Sequence, residues 1–366
     1  MTVTFTNEQI KWIRSEMSNI EQTKTIRENV LHFIIEKQLF KLIVPEELGG
    51  KMLSLPEAIR IFQDASYVDG NFGWLVTVGS GGGMFTPNFT KEAAKTFLTP
   101  KDAVIAGSGF PAGTAKVVDG GYIVNGEWFY CSGSQYASMF TATCQVTDNQ
   151  DEQRELLSFI FTPEQVKVIN DWDAFGLKGT SSHTIRVTEQ FVPNERSFSI
   201  FTTQNNLRNP LYHFPFLAFS EASFTAIVLG IGKHFLEEVH AIAEAKKTTW
   251  TEGEMDRYAF ILQRLEKEEK RWKIAEKAFH NALSSAWEQH VNGNPLSKEQ
   301  QTNFGSICKK SVTTILTCAN HLFRYIGMQS LMEQSMLNRI WRDLHTAAQH
   351  TFLTPYKEEE TEPYRI

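Results

Sequence analysis

The chain has 366 residues, a formal net charge of −6 at pH 7 and 21% charged residues, with acidic and basic side chains mixed along its length. The lack of a basic block argues against nucleic-acid binding, and the 42% hydrophobic residues argue against a disordered chain. The length predicts two or three domains, and the run from Glu358 to Glu360 is typical of a solvated tail.

The cysteines and the N-terminus predict an intracellular protein. The four cysteines lie at positions 131, 144, 308 and 318, without CxxC spacing, so reduced thiols explain them more simply than a disulfide framework. The N-terminus lacks the apolar stretch of a signal peptide, and the longest aliphatic run, residues 224–232, is too short to span a bilayer. We therefore expect a cytoplasmic protein with no membrane partner.

The N-terminal region is predicted to be helical. Thr6 with Gln9 forms a capping box at the start of a helix that is expected to run to about residue 39. Ser54 with Glu57 repeats this signature, so a second helix is expected to begin there. Two more helical segments are expected to follow before the pattern changes near residue 103.

A β region follows. Short β-prone runs such as 115–118 and 122–124 are separated by turn residues. Asp119-Gly120 and Asn125-Gly126 both predict turns, and the Asn-Gly pair is the strongest short hairpin signal. Similar runs continue to about residue 198, which predicts a compact antiparallel β domain.

Helix returns after Pro215 and continues almost to the end of the chain. No proline occurs between residues 216 and 294, which favours long helices packed as a four-helix bundle. Eight residues mark one apolar face at helical spacing: Tyr258, Ile261, Leu262, Leu265, Trp272, Phe279, Leu283 and Ala286. The predicted domains are therefore residues 1–102, 103–200 and 201–366.

Familiar cofactor and metal signatures are absent from the sequence. The glycine-rich stretch 79–83 neither follows a convincing strand nor precedes the Lys-Ser/Thr of a phosphate loop, so a closely packed turn is favoured. No HExxH spacing occurs among the ten histidines, and we expect no metal site. A GxSxG nucleophile elbow is also absent.

Four segments are informative through their order along the chain. They are residues 42–50 (LIVPEELGG), 127–133 (EWFYCSG), 175–182 (FGLKGTSS) and 338–345 (NRIWRDLH). In this order, with α, β and α regions between them, they resemble the acyl-CoA dehydrogenase superfamily over nearly the whole chain. The resemblance implies an α+β multidomain fold with a helical N-terminal domain, a central antiparallel β barrel and a C-terminal four-helix bundle.

The resemblance also implies a flavin, FAD or FMN, between the β domain and the bundle, and subunits that assemble as a homotetramer. The implied cofactor-binding residues are Trp128, Phe129, Tyr130, Cys131, Ser132, Thr180 and Ser181. An aromatic ring can pack on the isoalloxazine, while a hydroxyl and backbone N–H groups can bond its O4/N5 edge. On the residues alone, Trp128 and Tyr130 as barrel core and Ser132 as a turn cap are the alternative.

The end of the chain separates two branches of the superfamily. Many dehydrogenases carry a glutamate base where this chain has Thr351, and a hydroxyl cannot act as that base at neutral pH without help. The ending RIWRDLHTAAQH instead resembles two-component flavin monooxygenases, which take reduced flavin from a separate reductase and oxygenate aromatic or heteroatom-containing substrates. This branch implies His350 and Ser132 as catalytic residues and Ser108 as a second serine at the flavin.

The last helix carries a predicted polar face. Arg339, Asp343, Thr346 and His350 recur at spacings of four, three and four residues, and a histidine there is expected to titrate near neutrality. On spacing alone, a histidine that interacts with the end of the helix dipole is the alternative for His350.

Three functions remain open on the sequence. The leading one is a reduced-flavin-dependent monooxygenase, although residues 79–83 stand where such enzymes often have another histidine. The second is an acyl-CoA dehydrogenase with an unusual base, for which Glu244 is an outside candidate. The third is a flavin-binding protein without turnover.

Overall fold

The computed structural model describes residues 4–147, 155–252, 255–356 and Tyr364; the predicted acidic tail at 358–360 lies outside these residues. The helices are α1 (Asn7–Glu16), α2 (Ile20–Thr23), α3 (Glu28–Glu36), α4 (Leu55–Val68), α5 (Gly70–Gly81), α6 (Lys91–Leu98), α7 (Phe216–Ala245), α8 (Lys247–Thr251), α9 (Arg257–Val291), α10 (Lys298–Ile326) and α11 (Met336–Ala348). The strands are β1 (Ile105–Val118), β2 (Gly121–Cys131), β3 (Met139–Thr147), β4 (Leu156–Phe161), β5 (Lys167–Ile169), β6 (His183–Pro193) and β7 (Ser197–Phe198). The mixed α+β prediction is confirmed.

Both predicted capping boxes are present, but the first helix is shorter than expected. The Thr6 box starts α1, and the Ser54 box starts α4. The chain then breaks after α2, where Lys24 adopts a left-handed φ of 51°. This break lets Glu21 of α2 turn towards α11 and pair with Arg342 at 2.8 Å, a tertiary contact that local periodicity does not reveal.

The seven strands form one sheet in the order β5-β6-β2-β1-β3-β4-β7. Five of the six pairings are antiparallel, but β1 and β3 run parallel. The expectation of a purely antiparallel domain is therefore wrong at this pair. Among the described residues no pairing joins β5 to β7, so backbone hydrogen bonds do not close the sheet into a barrel there. The parallel pair requires the connection from β2 to β3 to cross the end of β1.

The Asn125-Gly126 signal does not form a hairpin. β1 and β2 are joined at Asp119-Gly120, where Gly120 has a φ of 76°, and Asn125-Gly126 lies inside β2. The pairing of β2 with β6 shifts register at this point. The Asn125 side chain donates to the Glu189 carboxylate (2.7 Å) and accepts its backbone N–H (2.8 Å). The cross-strand partner thus satisfies the asparagine within a bulge, which a sequence-local turn rule cannot anticipate.

Three long helices, α7, α9 and α10, dominate the C-terminal region with 30, 35 and 29 residues. The predicted face of α9 is confirmed at six positions, since Ile261, Leu265, Trp272, Phe279, Leu283 and Ala286 are buried. By length and composition α7 could cross a membrane, but 78% of its most apolar window is buried inside the protein. Its contacts with α4, α9, α10 and α11 make it the central core helix.

A buried ion pair joins the N-terminal helices to α11. Asp69 caps α5 by accepting the N–H groups of Asn71 (2.9 Å) and Phe72 (3.2 Å), and it also accepts from Arg339 at 2.5 Å. Arg339 donates in addition to the Met17 carbonyl at 2.7 Å. Asp69 and Arg339 are only 1% and 4% exposed, so this pair is enclosed by the helices that it connects.

The predicted polar face of α11 is thus an internal interface. Asp343 is 1% exposed and accepts the Leu177 N–H at 2.5 Å. His350 does not lie on the helix, because α11 ends at Ala348 and His350 caps the following 3-10 turn. The expectation that His350 shares this face with Asp343 is therefore wrong.

Candidate active site

Two segments at one end of the sheet form the centre of the candidate site. The connection from β2 to β3 lies beside the segment that leads into β6. Gly133 N–H donates to the Thr180 carbonyl at 2.9 Å. Ser134 donates both its N–H (3.2 Å) and its hydroxyl (2.7 Å) to the Ser181 carbonyl. These bonds hold together the two segments that the sequence assigned to flavin binding.

A chain of hydroxyl groups runs through this junction. The indole N–H of Trp74 in α5 donates to Ser132 Oγ at 2.8 Å, and Ser132 Oγ lies 2.7 Å from Ser182 Oγ. Ser182 Oγ lies 2.7 Å from Thr180 Oγ1, which donates to the Leu177 carbonyl at 2.8 Å. We call these five groups the hydroxyl relay. Its three hydroxyl-bearing residues are all buried.

His350 reaches the same place from the C-terminal helices. Its imidazole stacks on the Phe224 ring of α7 with 3.6 Å between centroids and lies 6.1 Å from the Trp74 ring. Trp74 therefore contacts both residues that were predicted to be catalytic: it bonds Ser132 through its N–H and packs near His350 through its ring. The structure brings Ser132 and His350 to the same indole.

The protonation state of His350 differs from the expectation. Burial lowers its pKa to about 4, so the expectation of a pKa near neutrality is wrong and the imidazole is neutral at pH 7. Its Nδ1 accepts the Phe352 N–H at 3.4 Å. This hydrogen bond assigns the remaining proton to Nε2, so the ring presents an N–H donor at physiological pH.

Aromatic side chains surround His350. Phe224 packs against Trp74 at 5.4 Å between centroids, and Phe352 lies 5.1 Å from the imidazole. The cluster continues to Phe216, which lies 6.4 Å from Phe352 and is 44% exposed. Such surroundings favour a flat, weakly polar ligand beside the histidine.

Buried polar contacts fix the loop that carries Thr180 and Ser182. The Asp343 carboxylate accepts from Leu177 N–H (2.5 Å) and from the Asn71 side chain (3.3 Å), while the Asn71 carbonyl accepts Gly179 N–H at 2.9 Å. Burial raises the pKa of Asp343 to about 7, and the nearby Arg339 opposes that rise. Helices α5 and α11 thus set the position of the loop from both sides.

The side chains of Trp128 and Cys131 do not line the site. The Trp128 indole is fully buried within the β domain and donates to the Thr143 carbonyl at 2.9 Å. Its ring fills the space above Gly113 and Gly126, where an added Cβ would approach it within 2.4 Å. Cys131 is also fully buried in the sheet core. Trp128 thus follows the barrel-core alternative, and the register shift between Trp128 and Cys131, with Tyr130 in a left-handed conformation, returns Cys131 to the same buried face.

The two aromatic residues between Trp128 and Cys131 point outward. Phe129 is 55% exposed and Tyr130 is 74% exposed, with 6.1 Å between their ring centroids. Tyr130 has a left-handed φ of 64°, and Leu177 and Ser181 on the facing segment have φ of 51° and 47°. Left-handed non-glycine residues are costly and tend to cluster at ligand sites. For Tyr130 the structure therefore contradicts the barrel-core alternative.

The remaining predicted serines are placed apart from the relay. Ser181, which the resemblance implied at the flavin, donates its hydroxyl to Gln135 at 3.0 Å, and its neighbour Ser182 is the serine in the relay. Ser108 accepts the Phe110 N–H at 3.2 Å, just before the irregular part of β1. Its role at the flavin stays a prediction.

Trp74 and Ser182 were not identified from the sequence. Trp74 is one indole among eight in the chain, and only the fold places α5 against the β2–β3 connection. Ser182 adjoins the predicted pair Thr180 and Ser181, but which of the three hydroxyls faces Ser132 depends on the left-handed turn at Ser181. No spacing rule provides that information.

The two facing segments can accept a flavin. Among the described residues, the buried polar atoms without a hydrogen-bond partner include Tyr136 Oη on the first segment and His183 Nε2 at the end of the second. Such atoms call for a partner beyond the protein's own groups. Together with the Ser132 hydroxyl and the exposed rings of Phe129 and Tyr130, they offer both polar and flat contacts, as an isoalloxazine requires.

Comparison with known proteins gives a consistent result along the chain. Residues 222–355 match the family described as acyl-CoA dehydrogenase, C-terminal domain. Indole-3-acetate monooxygenase of Pseudomonas putida is 24% identical over 342 residues, which cover 93% of this chain and 87% of that protein. The oxygenase subunit HsaA of a flavin-dependent monooxygenase of Rhodococcus jostii is 24% identical over 363 residues, which cover 94% and 92%.

A solved structure shares the fold. XiaF from Streptomyces sp., in complex with FADH2 and glycerol, superimposes with a TM-score of 0.86 at 21% identity, covering 94% of this chain and 89% of that one. Together with the relatives above, this match confirms the resemblance to the acyl-CoA dehydrogenase superfamily and to its monooxygenase branch. The two relatives also confirm the prediction of a flavin-dependent oxidoreductase.

Proposed function

Because the C-terminal region of this chain belongs to the acyl-CoA dehydrogenase C-terminal domain family and its relatives along most of the chain are flavin-dependent oxygenases, we propose that it is the oxygenase component of a two-component flavin monooxygenase. It takes reduced flavin from a separate reductase. It then inserts one oxygen atom of O2 into a small aromatic substrate, and the other atom leaves as water.

The convergence of Ser132 and His350 on Trp74 carries this proposal. Ser132 comes from the β domain and His350 from the segment after α11, yet Trp74 contacts both. The site therefore lies between the β domain and the C-terminal helices, where the superfamily holds its flavin. No carboxylate base is needed for oxygen insertion, in agreement with Thr351 at the position of the dehydrogenase glutamate.

The residues of the chain have distinct proposed tasks. Bound reduced flavin supplies the two electrons that activate O2. Ser132 bonds the O4/N5 edge of the ring, and the neutral His350 offers its Nε2–H to the reacting oxygen or to the substrate. The aromatic cluster around His350 excludes water and holds a planar substrate. The FADH2-bound relative supports FAD as the cofactor, with FMN as the alternative.

Glu244, the base that the dehydrogenase alternative offered, is not suitably placed. Glu244 lies 20 residues after Phe224 on the same helix, which corresponds to about 30 Å along the axis. Phe224 stacks on His350, so Glu244 is remote from the candidate site. It accepts instead from the Tyr258 hydroxyl near the far end of α7.

We predict oxygenation by the purified protein when reduced FAD and O2 are supplied. The test mixes the protein with chemically reduced FAD or FMN, 18O2 and a panel of small phenols and indoles that includes indole-3-acetate, and analyses the products by mass spectrometry. One 18O atom per product molecule is the expected result. Hydrogen peroxide as the sole product with every substrate, or flavin bleaching by acyl-CoA thioesters, would contradict the proposal.

We also propose a homotetramer. Met328, Leu331 and Met332, after α10, are 68%, 54% and 43% exposed, an apolar patch that favours assembly between copies. Light scattering at micromolar concentration should give about four times the 41.7 kDa chain mass. A monomeric mass would contradict this part of the proposal, as would an elution volume unchanged by Met328→Glu. The cytoplasmic location also stays a proposal.

A further inference from the structure

The hydroxyl relay has a fixed direction. Its first group, the Trp74 indole N–H, can only donate, and its last group, the Leu177 carbonyl, can only accept. Thr180 donates its single hydroxyl proton to the Leu177 carbonyl, so it must accept from Ser182. Because Ser182 donates its own proton to Thr180, it must accept from Ser132.

Ser132 is consequently an acceptor towards any ligand. Its proton points to Ser182, and one of its two lone pairs accepts from Trp74. Among the described residues no other group bonds its hydroxyl, so one lone pair remains for a ligand. A reversal would turn the Thr180 proton towards Ser182 and break the 2.8 Å hydrogen bond that Thr180 donates to the Leu177 carbonyl, and an unmade buried hydrogen bond is costly.

This polarity distinguishes the two redox states of a flavin. Reduced flavin carries a hydrogen on N5 and can donate to an acceptor, whereas oxidised flavin has a lone pair there and would face the lone pair of Ser132. Building on the proposed function, we infer that Ser182 is a positioning residue: through its hydrogen bond it holds Ser132 as an acceptor and makes the site select reduced over oxidised flavin.

The test measures the dissociation constants of FAD and of dithionite-reduced FAD for the full chain under anaerobic conditions. In Ser182→Ala the Ser132 proton becomes free to donate to oxidised flavin. We expect oxidised FAD to bind roughly three- to tenfold more tightly, the value of one neutral hydrogen bond, while binding of reduced FAD changes little. Thr180→Val should shift the ratio of the two dissociation constants in the same direction. Without the Thr180 hydroxyl, Ser182 can donate its proton to Ser132, and the Ser132 proton becomes free to donate to the flavin.

Ser134→Ala is the matched control. Ser134 is equally buried at 3% exposure and bonds the same loop through the Ser181 carbonyl, but it stands outside the relay. Ser134→Ala should leave the ratio of the dissociation constants for oxidised and reduced FAD unchanged. In a Ser132→Ala background, Ser182→Ala should have no further effect on that ratio.

Two outcomes would overturn this inference and leave the proposed function standing. One is a ratio of the two dissociation constants that is unchanged in both Ser182→Ala and Thr180→Val. The other is an effect of Ser182→Ala on that ratio that persists in the Ser132→Ala background. Wild-type protein that binds neither form of FAD or FMN would overturn the proposed function, and this inference with it. The two failures are therefore distinguishable by the wild-type measurement.

Discussion

Replacement of His350 by alanine is expected to reduce product formation by a factor of about a hundred or more, the usual scale for loss of a preorganised hydrogen-bond donor at the reacting oxygen. The imidazole stacks on Phe224 and lies beside Trp74, so its removal opens the aromatic cluster next to the indole that bonds Ser132. Folding and flavin binding should persist, because Ser132 and its relay are held by other residues.

The pH dependence defines the role of His350. Since burial lowers its pKa to about 4, the imidazole is neutral from about pH 5 upwards. The rate of oxygenation should therefore show no inflection from this residue between pH 6 and 8. In the folded state this depressed pKa favours the neutral form, so its contribution to stability is present above pH 6.5 and is lost as the pH falls towards 4.

His345→Ala is a suitable control for His350→Ala. His345 lies on α11, and its Nε2 bonds Asn320 at 3.0 Å, away from Trp74 and Phe224. Its replacement should leave turnover close to the wild-type value. His350→Gln, which keeps an N–H donor, should recover part of the activity if donation is the task. Normal turnover in His350→Ala would reject a catalytic role for this residue.

Replacement of Asp69 by alanine is expected to lower the free energy of unfolding by about 3–5 kcal/mol, the cost of leaving one member of a buried ion pair without its partner. Arg339 is 4% exposed and would lose the carboxylate that it contacts at 2.5 Å. Helix α5 would also lose the cap on its first N–H groups, which adds roughly 1 kcal/mol.

The measurement is the denaturant midpoint of Asp69→Ala, compared with that of Lys24→Ala. Lys24 pairs with Asp173 on the surface, with side chains that are 50% and 81% exposed, so this substitution should cost less than about 1 kcal/mol. Because α5 carries Trp74, Asp69→Ala should also weaken flavin binding. Equal midpoints for the two variants would show that the buried pair does not hold the helices together.

Much of the local structure was determined by the sequence alone. The capping boxes at Thr6 and Ser54 are local, since a side chain there bonds backbone groups three residues away, and both are present. The apolar face of α9 follows from the helical period and is also confirmed. The order of the four motifs was sufficient to identify the superfamily, and the ending RIWRDLHTAAQH indicated its monooxygenase branch.

Local patterns failed where a distant partner decided the outcome. Asn125-Gly126 became a bulge because Glu189 across the sheet satisfies the asparagine side chain. Arg339 and Asp343 became part of a buried junction because α5 and the loop before β6 pack against α11. The polarity pattern of one helix carries no information about what will cover it.

For the candidate site, the sequence supplied Ser132 and His350 but not their relation. They are 218 positions apart, and the residue that contacts both, Trp74, lies near neither in the chain. The donor-to-acceptor direction of the hydroxyl relay also depends on tertiary contacts. It is set by the groups that meet at 2.7 to 2.8 Å, beginning with the Trp74 indole and ending with the Leu177 carbonyl. Only the tertiary structure decides this, because a hydroxyl can donate or accept until both of its neighbours are known.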